Sequence, residues 1–401
     1  VMATPLPTYG FDYSLVRNPD IDTAYNALIT YVIPGSPAAQ AGLERGDWIM
    51  KVDTSYISKK YETYLLQGTK AVKLTLGEWK EVEIEDEEDG NEGGDGEDEG
   101  PMMEYRVVPI DDPVEMPAAQ IVEDNPVHKY EIIESPVKKI RVGYLMYNSF
   151  TAGTKAEPEK YNNELRSVSQ KFKEAGVQAV ILDLRYNEGG SMDCVQLLGT
   201  ILTSADRLGE PMAYLEYNDK NTDKDATILF GTDREINLNL HSLIAITSGT
   251  TMGAPEMLIR SLFLEDTYPI ATVGSSTKGQ NVATEQFINE EFLWSVNPVV
   301  CTVYNSQHDT YGAISPATDL KVSETTIDGS TNYSEFLPFG TFDKDGKSER
   351  LLKIAIGVLD GTYPPKDDET PEESTTQTRF KVEKSVSSPA SRRFSSKGLR
   401  L

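Results

Sequence analysis

Apolar and polar positions follow two different rhythms along this chain of 401 residues. Up to about residue 112 the apolar runs are short and broken by Gly and Pro, which is a strand pattern. ITYVI (29–33) reads as a strand, and RGDWIMKVD (45–53) turns at a glycine into another. Between them SPAAQAGL reads as a short helix, with Ser36 as the cap, Pro37 in the first turn and Gly42 as the stop. A further helix is expected near Tyr61 to Gln67, then a strand at 71–76. EWKEVEIE and MEYRVVPI read as two strands of a hairpin.

From Arg141 the rhythm changes. RVGYLMYNSF predicts a strand and residues 158–175 an amphipathic helix. QAVILDLR (178–185) is continuously apolar up to its aspartate, as in a strand covered on both faces. YNEGG ends it, and a helix is expected over 192–204. LIAITSGT (243–250) leads into GAPEMLIRSLFLE, and YPIATVG follows. This alternation predicts helices packed on a largely parallel sheet. FLWSVNPVVCTVYN and the helix LLKIAIGVLDG close the unit near residue 361.

The chain thus divides into a mainly β domain over 1–112, a Pro-rich connector over 113–140, an α/β core over 141–361 and a polar tail over 362–401. The tail is expected to be mostly disordered, with strand character at TRFKVEKS.

Composition sharpens this picture in three places. The net charge is −26, a balance that repels phosphate backbones and argues against nucleic acid as a partner. Part of it is local: residues 81–100 hold twelve Asp or Glu and no Lys or Arg. That stretch forms an acidic loop over 82–101, and its acids lack the spacing of a calcium-binding loop. Cys194 and Cys301 are the only cysteines, which excludes a disulfide framework. His128, His241 and His308 stand far apart, and no metal site or cofactor is expected. No apolar run reaches the roughly 18–20 residues that cross a bilayer.

Three segments, in order, resemble the C-terminal processing (tail-specific) serine–lysine peptidases, and most closely their exported Bacteroides-type members. They are YVIPGSPAAQAGLERGDWIMKVD, ILDLRYNEGG, and ITSGTTMGAPEMLIRSL with TVGSSTKGQ downstream. The resemblance implies a PDZ-like peptide-binding domain joined to a ClpP/crotonase-like core of βαβ units with a mixed sheet. It implies polypeptides with free C-termini as partners. Tyr9, Gly10, Phe11 and Asp12 would form the loop that receives a terminal carboxylate while the peptide adds as a strand.

In the core the resemblance makes Lys278, 25 positions after residue 253, the general base. Such a lysine must be neutral, and desolvation lowers an ammonium pKa. Gly189 or Gly190 and the amide of Ala254 would receive the oxyanion. One position departs. The family reads T-A-S-A-S-E, and this chain reads Thr251-Met252-Gly253-Ala254-Pro255-Glu256. Gly253 stands where the nucleophilic serine belongs. Loss of a serine nucleophile costs about a millionfold in turnover. Thr251 and Ser248 are the substitute hydroxyls in reach along the sequence, and Gln280 is the substitute for a supporting polar residue whose place Val282 takes. Two outcomes follow: a serine-type endopeptidase working through a nearby hydroxyl, or a pseudopeptidase that holds peptides without cutting. The family resemblance also implies export, to the periplasm or an outer-membrane anchor. Any anchor would have to lie in a missing N-terminal segment, because no signal peptide is visible here.

Overall fold

A computed structural model describes residues 6–84, 102–289, 291–292, 294–322, 336–364, 382–386 and 397–401. The acidic loop, from residue 85 to 101, and most of the polar tail lie outside the described residues.

The first domain runs β1 (Phe11–Arg17), β2 (Tyr25–Val32), α1 (Pro37–Gln40), β3 (Trp48–Val52), β4 (Ser55–Tyr56), α2 (Glu62–Leu66), β5 (Val72–Ile84), β6 (Met102–Pro109) and β7 (Val114–Met116). Helix α1 starts as its sequence requires: the Ser36 hydroxyl accepts from the Ala39 N–H at 3.2 Å. β5 and β6 form the expected hairpin, in register from Gly77↔Pro109 to Ile84↔Met102. Alternate residues of β1 and β2, with Leu43, Ile49, Leu66 and Leu74, bury an apolar core of their own.

The core runs β8 (Val127–Glu134), β9 (Arg141–Tyr147), α3 (Lys160–Glu174), β10 (Ala179–Asp183), β11 (Gly189–Ser191), α4 (Met192–Leu202), β12 (Pro211–Tyr217), β13 (Ala226–Leu229), β14 (Leu243–Thr247), α5 (Ala254–Leu262), β15 (Ile270–Gly274), β16 (Val282–Thr284), β17 (Phe287–Asn289), β18 (Trp294–Val296), β19 (Val299–Tyr304) and α6 (Arg350–Asp360). One sheet has the order β15-β14-β10-β9-β8 and is parallel except at β8. β10 lies at its centre, which is why all five of its residues are buried. Val180 and Leu182 face the larger core beneath α3, α4 and α5. Ile181 faces the other side, among α6 residues and Tyr31 and Ile33 of the first domain.

The structure departs from the sequence reading at two stretches. The connector supplies β8, because VHKYEIIE alternates well enough to pair antiparallel with β9. The polar tail supplies two strands: β20 (Val382–Val386), which overlaps TRFKVEKS where strand character was expected, and β21 (Gly398–Arg400), which was not expected. β20 extends the first domain's sheet, giving the order β20-β1-β2-β3-β5-β6. β21 enters a second core sheet with the order β11-β21-β16-β19-β12-β13. A tripeptide strand such as β21 carries no periodic signal, so only tertiary pairing reveals it.

The two domains meet at buried charges. Arg185 and Asp183 are fully buried and pair at 2.7 Å, and Arg185 also pairs with buried Glu349 at 2.8 Å. Arg45 of the first domain reaches the same Glu349 at 3.7 Å. Its guanidinium stacks on the Phe336 and Phe339 rings. Burial alone would raise the Glu349 carboxyl. Arg185, Arg45 and the Leu352 N–H outweigh it and hold the group below its ordinary value.

Candidate active site and peptide grooves

The strand ends of β10 and β14 bring the predicted core residues together. Beyond β10 the chain turns through Asn187, which is fully buried. Its side-chain amide donates to the Tyr147 carbonyl at 2.8 Å, and its side-chain oxygen accepts from the Gly189 N–H at 3.0 Å. Its carbonyl accepts from the Met252 N–H at 3.2 Å. One residue therefore ties the Gly189-Gly190 turn, by its side chain, to the turn before α5, by its carbonyl. Gly189 and Gly190 have φ of +125° and +137°, and a Cβ on either would strike backbone at 1.9 and 2.2 Å.

Gly253 is the turn residue before α5, at φ +71° and ψ −101°. This is the sharp strand-to-helix bend on which a nucleophile is exposed at a helix N-terminus. The bend is kept and the hydroxyl is not. Ala254 opens α5 and is fully buried.

Sequence reasoning gave Glu256 no role, yet it organises the site. Its carboxylate is fully buried. It accepts from the N–H groups of Gly253 at 2.8 Å, Gly279 at 2.5 Å and Gln280 at 2.9 Å, and from the Thr277 hydroxyl. Four donors compensate the buried charge. The signal was in the sequence: Glu256 is three residues past Gly253, the position from which a helix acid reaches back to the cap N–H.

Glu256 draws in the loop that carries Lys278, but by its backbone. The Lys278 N–H donates to the Thr251 carbonyl at 3.1 Å, while its side chain is exposed. Among the described residues the amine has no hydrogen-bond or ion-pair partner. The desolvated lysine expected of a general base is therefore absent in this arrangement. The substitute hydroxyls are also placed elsewhere. Thr251 is fully buried, and its hydroxyl donates to the Leu184 carbonyl at 2.9 Å. The Ser248 hydroxyl donates to the Arg185 carbonyl. Both tie the turn to the segment that follows β10.

What lies over Gly253 is β21. It runs parallel to β11, with Gly189↔Gly398 and Gly190↔Leu399, and parallel to β16, with Ala283↔Leu399. The Gly398 N–H donates to the Glu188 carbonyl at 2.7 Å. That ladder sets the Gly190 N–H opposite the Gly398 carbonyl oxygen. Leu399 is 1% exposed and joins the main core.

In the first domain, Tyr9 and Gly10 precede β1, and Phe11 and Asp12 open it. Tyr9 is buried and its hydroxyl donates to the Lys70 carbonyl at 2.5 Å. The Gly10 N–H is taken by the Thr8 hydroxyl at 3.0 Å. The outer edge of β1 is paired antiparallel with β20, from Tyr13↔Val386 to Val16↔Val382. Lys384 reaches the buried Glu62 of α2 at 2.8 Å. Cys194 and Cys301 are free and buried.

Comparison with known proteins agrees with this geometry. The family model for peptidase family S41 matches residues 141–296, and a PDZ domain model matches residues 28–75. A solved structure from Bacteroides fragilis, described as an S41 protease, is 39% identical over 90% of this chain and 85% of its own, with a TM-score of 0.75. The chain belongs to peptidase family S41. It is a C-terminal processing peptidase-like S41 protein with a PDZ domain. The photosystem II D1 C-terminal processing protease also matches, at 17% identity and a TM-score of 0.42 over 80% of this chain and 73% of that one. No curated protein matches significantly.

Proposed function

We propose that this S41 protein holds extended polypeptide segments without cutting them, along the β1 edge of its PDZ domain and between β11 and β16 of its core. One observation carries the reading: the residue on the nucleophile bend is Gly253, and the hydroxyls of Ser248, Thr250 and Thr251 are all bonded to backbone carbonyls. Strand addition supplies affinity through main-chain hydrogen bonds, and the pockets beside alternate side chains supply selectivity. Neither requires a nucleophile. We also read the core as ClpP/crotonase-like from its βαβ units, and the protein as exported, which cell fractionation would test.

Hydrolysis remains the second reading, favoured by family membership and by a lysine at the family spacing. A fluorophosphonate probe followed by intact-mass measurement separates the two. We expect no adduct. A stoichiometric adduct that disappears in Lys278→Ala would overturn the non-cutting reading.

A further inference from the structure

The strand between β11 and β16 is the chain's own, and its register over the nucleophile bend is specific. A Cβ built on Gly253 would lie 2.5 Å from both the Gly398 Cα and its carbonyl carbon and 2.6 Å from the Leu399 nitrogen. The Gly398–Leu399 peptide bond thus packs directly on the nucleophile bend and leaves no room for a side chain at 253. The Gly398 carbonyl oxygen faces the Gly190 N–H, the expected oxyanion donor.

The residues around this bond set what fits. Gly398 has φ +85°, and a Cβ there would meet the Gln280 side-chain oxygen at 2.2 Å. That oxygen is buried and accepts no hydrogen bond. The left-handed φ of Gly398 strains any residue with a side chain, so the position before the bond favours glycine. Leu399 fills an apolar pocket after it, and the Thr284 hydroxyl donates to its carbonyl at 3.1 Å. The Leu401 N–H donates to the Thr284 carbonyl at 3.0 Å. At the other groove β20 lies antiparallel on β1, the strand-addition mode of a PDZ ligand.

We infer that residues 382–386 and 398–401 are an internal ligand: one tail fills both peptide grooves, and the core groove selects an extended segment with Gly followed by Leu. This inference rests on the grooves being peptide-binding, as proposed above. External peptides of that kind bind only as far as the tail leaves. Their apparent affinity is reduced by the fraction of molecules with an open groove.

Two measurements test it. Hydrogen exchange on the parent chain should show the Gly398 and Leu401 amides protected about 100-fold or more. Exchange at the unprotected rate would overturn the inference. The second uses a fluorescein-labelled synthetic peptide with the sequence of residues 395–401, read by anisotropy. Leu399→Asp places a carboxylate in the apolar pocket and should expel the strand. The folded variant should then bind the peptide about tenfold or more tighter than the parent chain. A peptide with Val in place of its Gly should not bind. Equal binding by parent and variant, or no binding by a folded variant, would overturn the inference. If the variant does not fold, the exchange measurement alone decides. A fluorophosphonate adduct on the parent chain would sink the non-cutting function and leave the internal ligand standing.

Discussion

At the β1 edge, β20 lies on the surface: Glu383, Lys384 and Ser385 are exposed, and the strand is held by its backbone ladder and two ion pairs. Between β11 and β16, β21 has a partner on each side and sends Leu399 into the main core. The same tail is therefore held mainly by polar contacts in one groove, where Val386 is partly buried against the first domain's core, and by full apolar burial in the other. Edge pairing is weak and reversible because water competes for every group it uses. Burial of a leucine between two strands is worth several times more. The first groove suits capture and the second suits retention.

The largest expected effect tests the joint that carries both grooves. Glu349→Gln would leave Arg185 and Arg45 short of an anion, and should cost about 3–5 kcal/mol in urea denaturation. The parent chain should show the same dependence through pH. The Glu349 carboxyl is held below its ordinary 4.5, so its contribution is complete above that value. It is lost as pH falls through the lower, folded value. The urea midpoint should drop in that range, and Glu349→Gln should flatten the drop; an unchanged profile would dismiss the buried charge cluster as a source of stability.

Next comes Leu399→Ala, which removes the apolar anchor of β21. We expect about 2–5 kcal/mol less protection of the Gly398 amide by hydrogen exchange, with the β20 ladder unaffected. Loss of protection in both strands together would show one cooperative tail instead of two separable grooves. Lys384→Ala should weaken β20 by about 1–2 kcal/mol, because Glu62 is 2% exposed and among the described residues keeps only the Tyr13 hydroxyl, at 2.9 Å. This loss should shrink with added salt. Lys59→Ala should change nothing measurable, since the Lys59–Glu383 pair is solvent-exposed; a clear loss would mean that the edge groove depends on charge more than its exposure suggests.

Much of the scaffold was legible because it rests on strong local signals. The apolar run at 179–183, the amphipathic face of α3 and the cap at Ser36 each name their element. The Gly189-Gly190 turn could be placed because ILDLRYNEGG matches a pattern, and the Gly253 bend because its spacing to Lys278 does. The hub at Glu256 was half-legible: its helix position is a cap signal, but three of its four donors come from residues 21–24 positions away. The exposure of Lys278 and the bonded state of Thr251 were not legible, since both depend on which way a loop side chain turns once its backbone is fixed.

Sequence by itself determined the family, the two-domain order and the missing oxygen at position 253, because each is written in residue identity and spacing. Only the tertiary structure decided what fills the site. Gly398-Leu399-Arg400 has no apolar rhythm of its own. It becomes a strand because Gly189, Gly190 and Gly253 leave room for backbone, and because β11 and β16 each present a free edge to it.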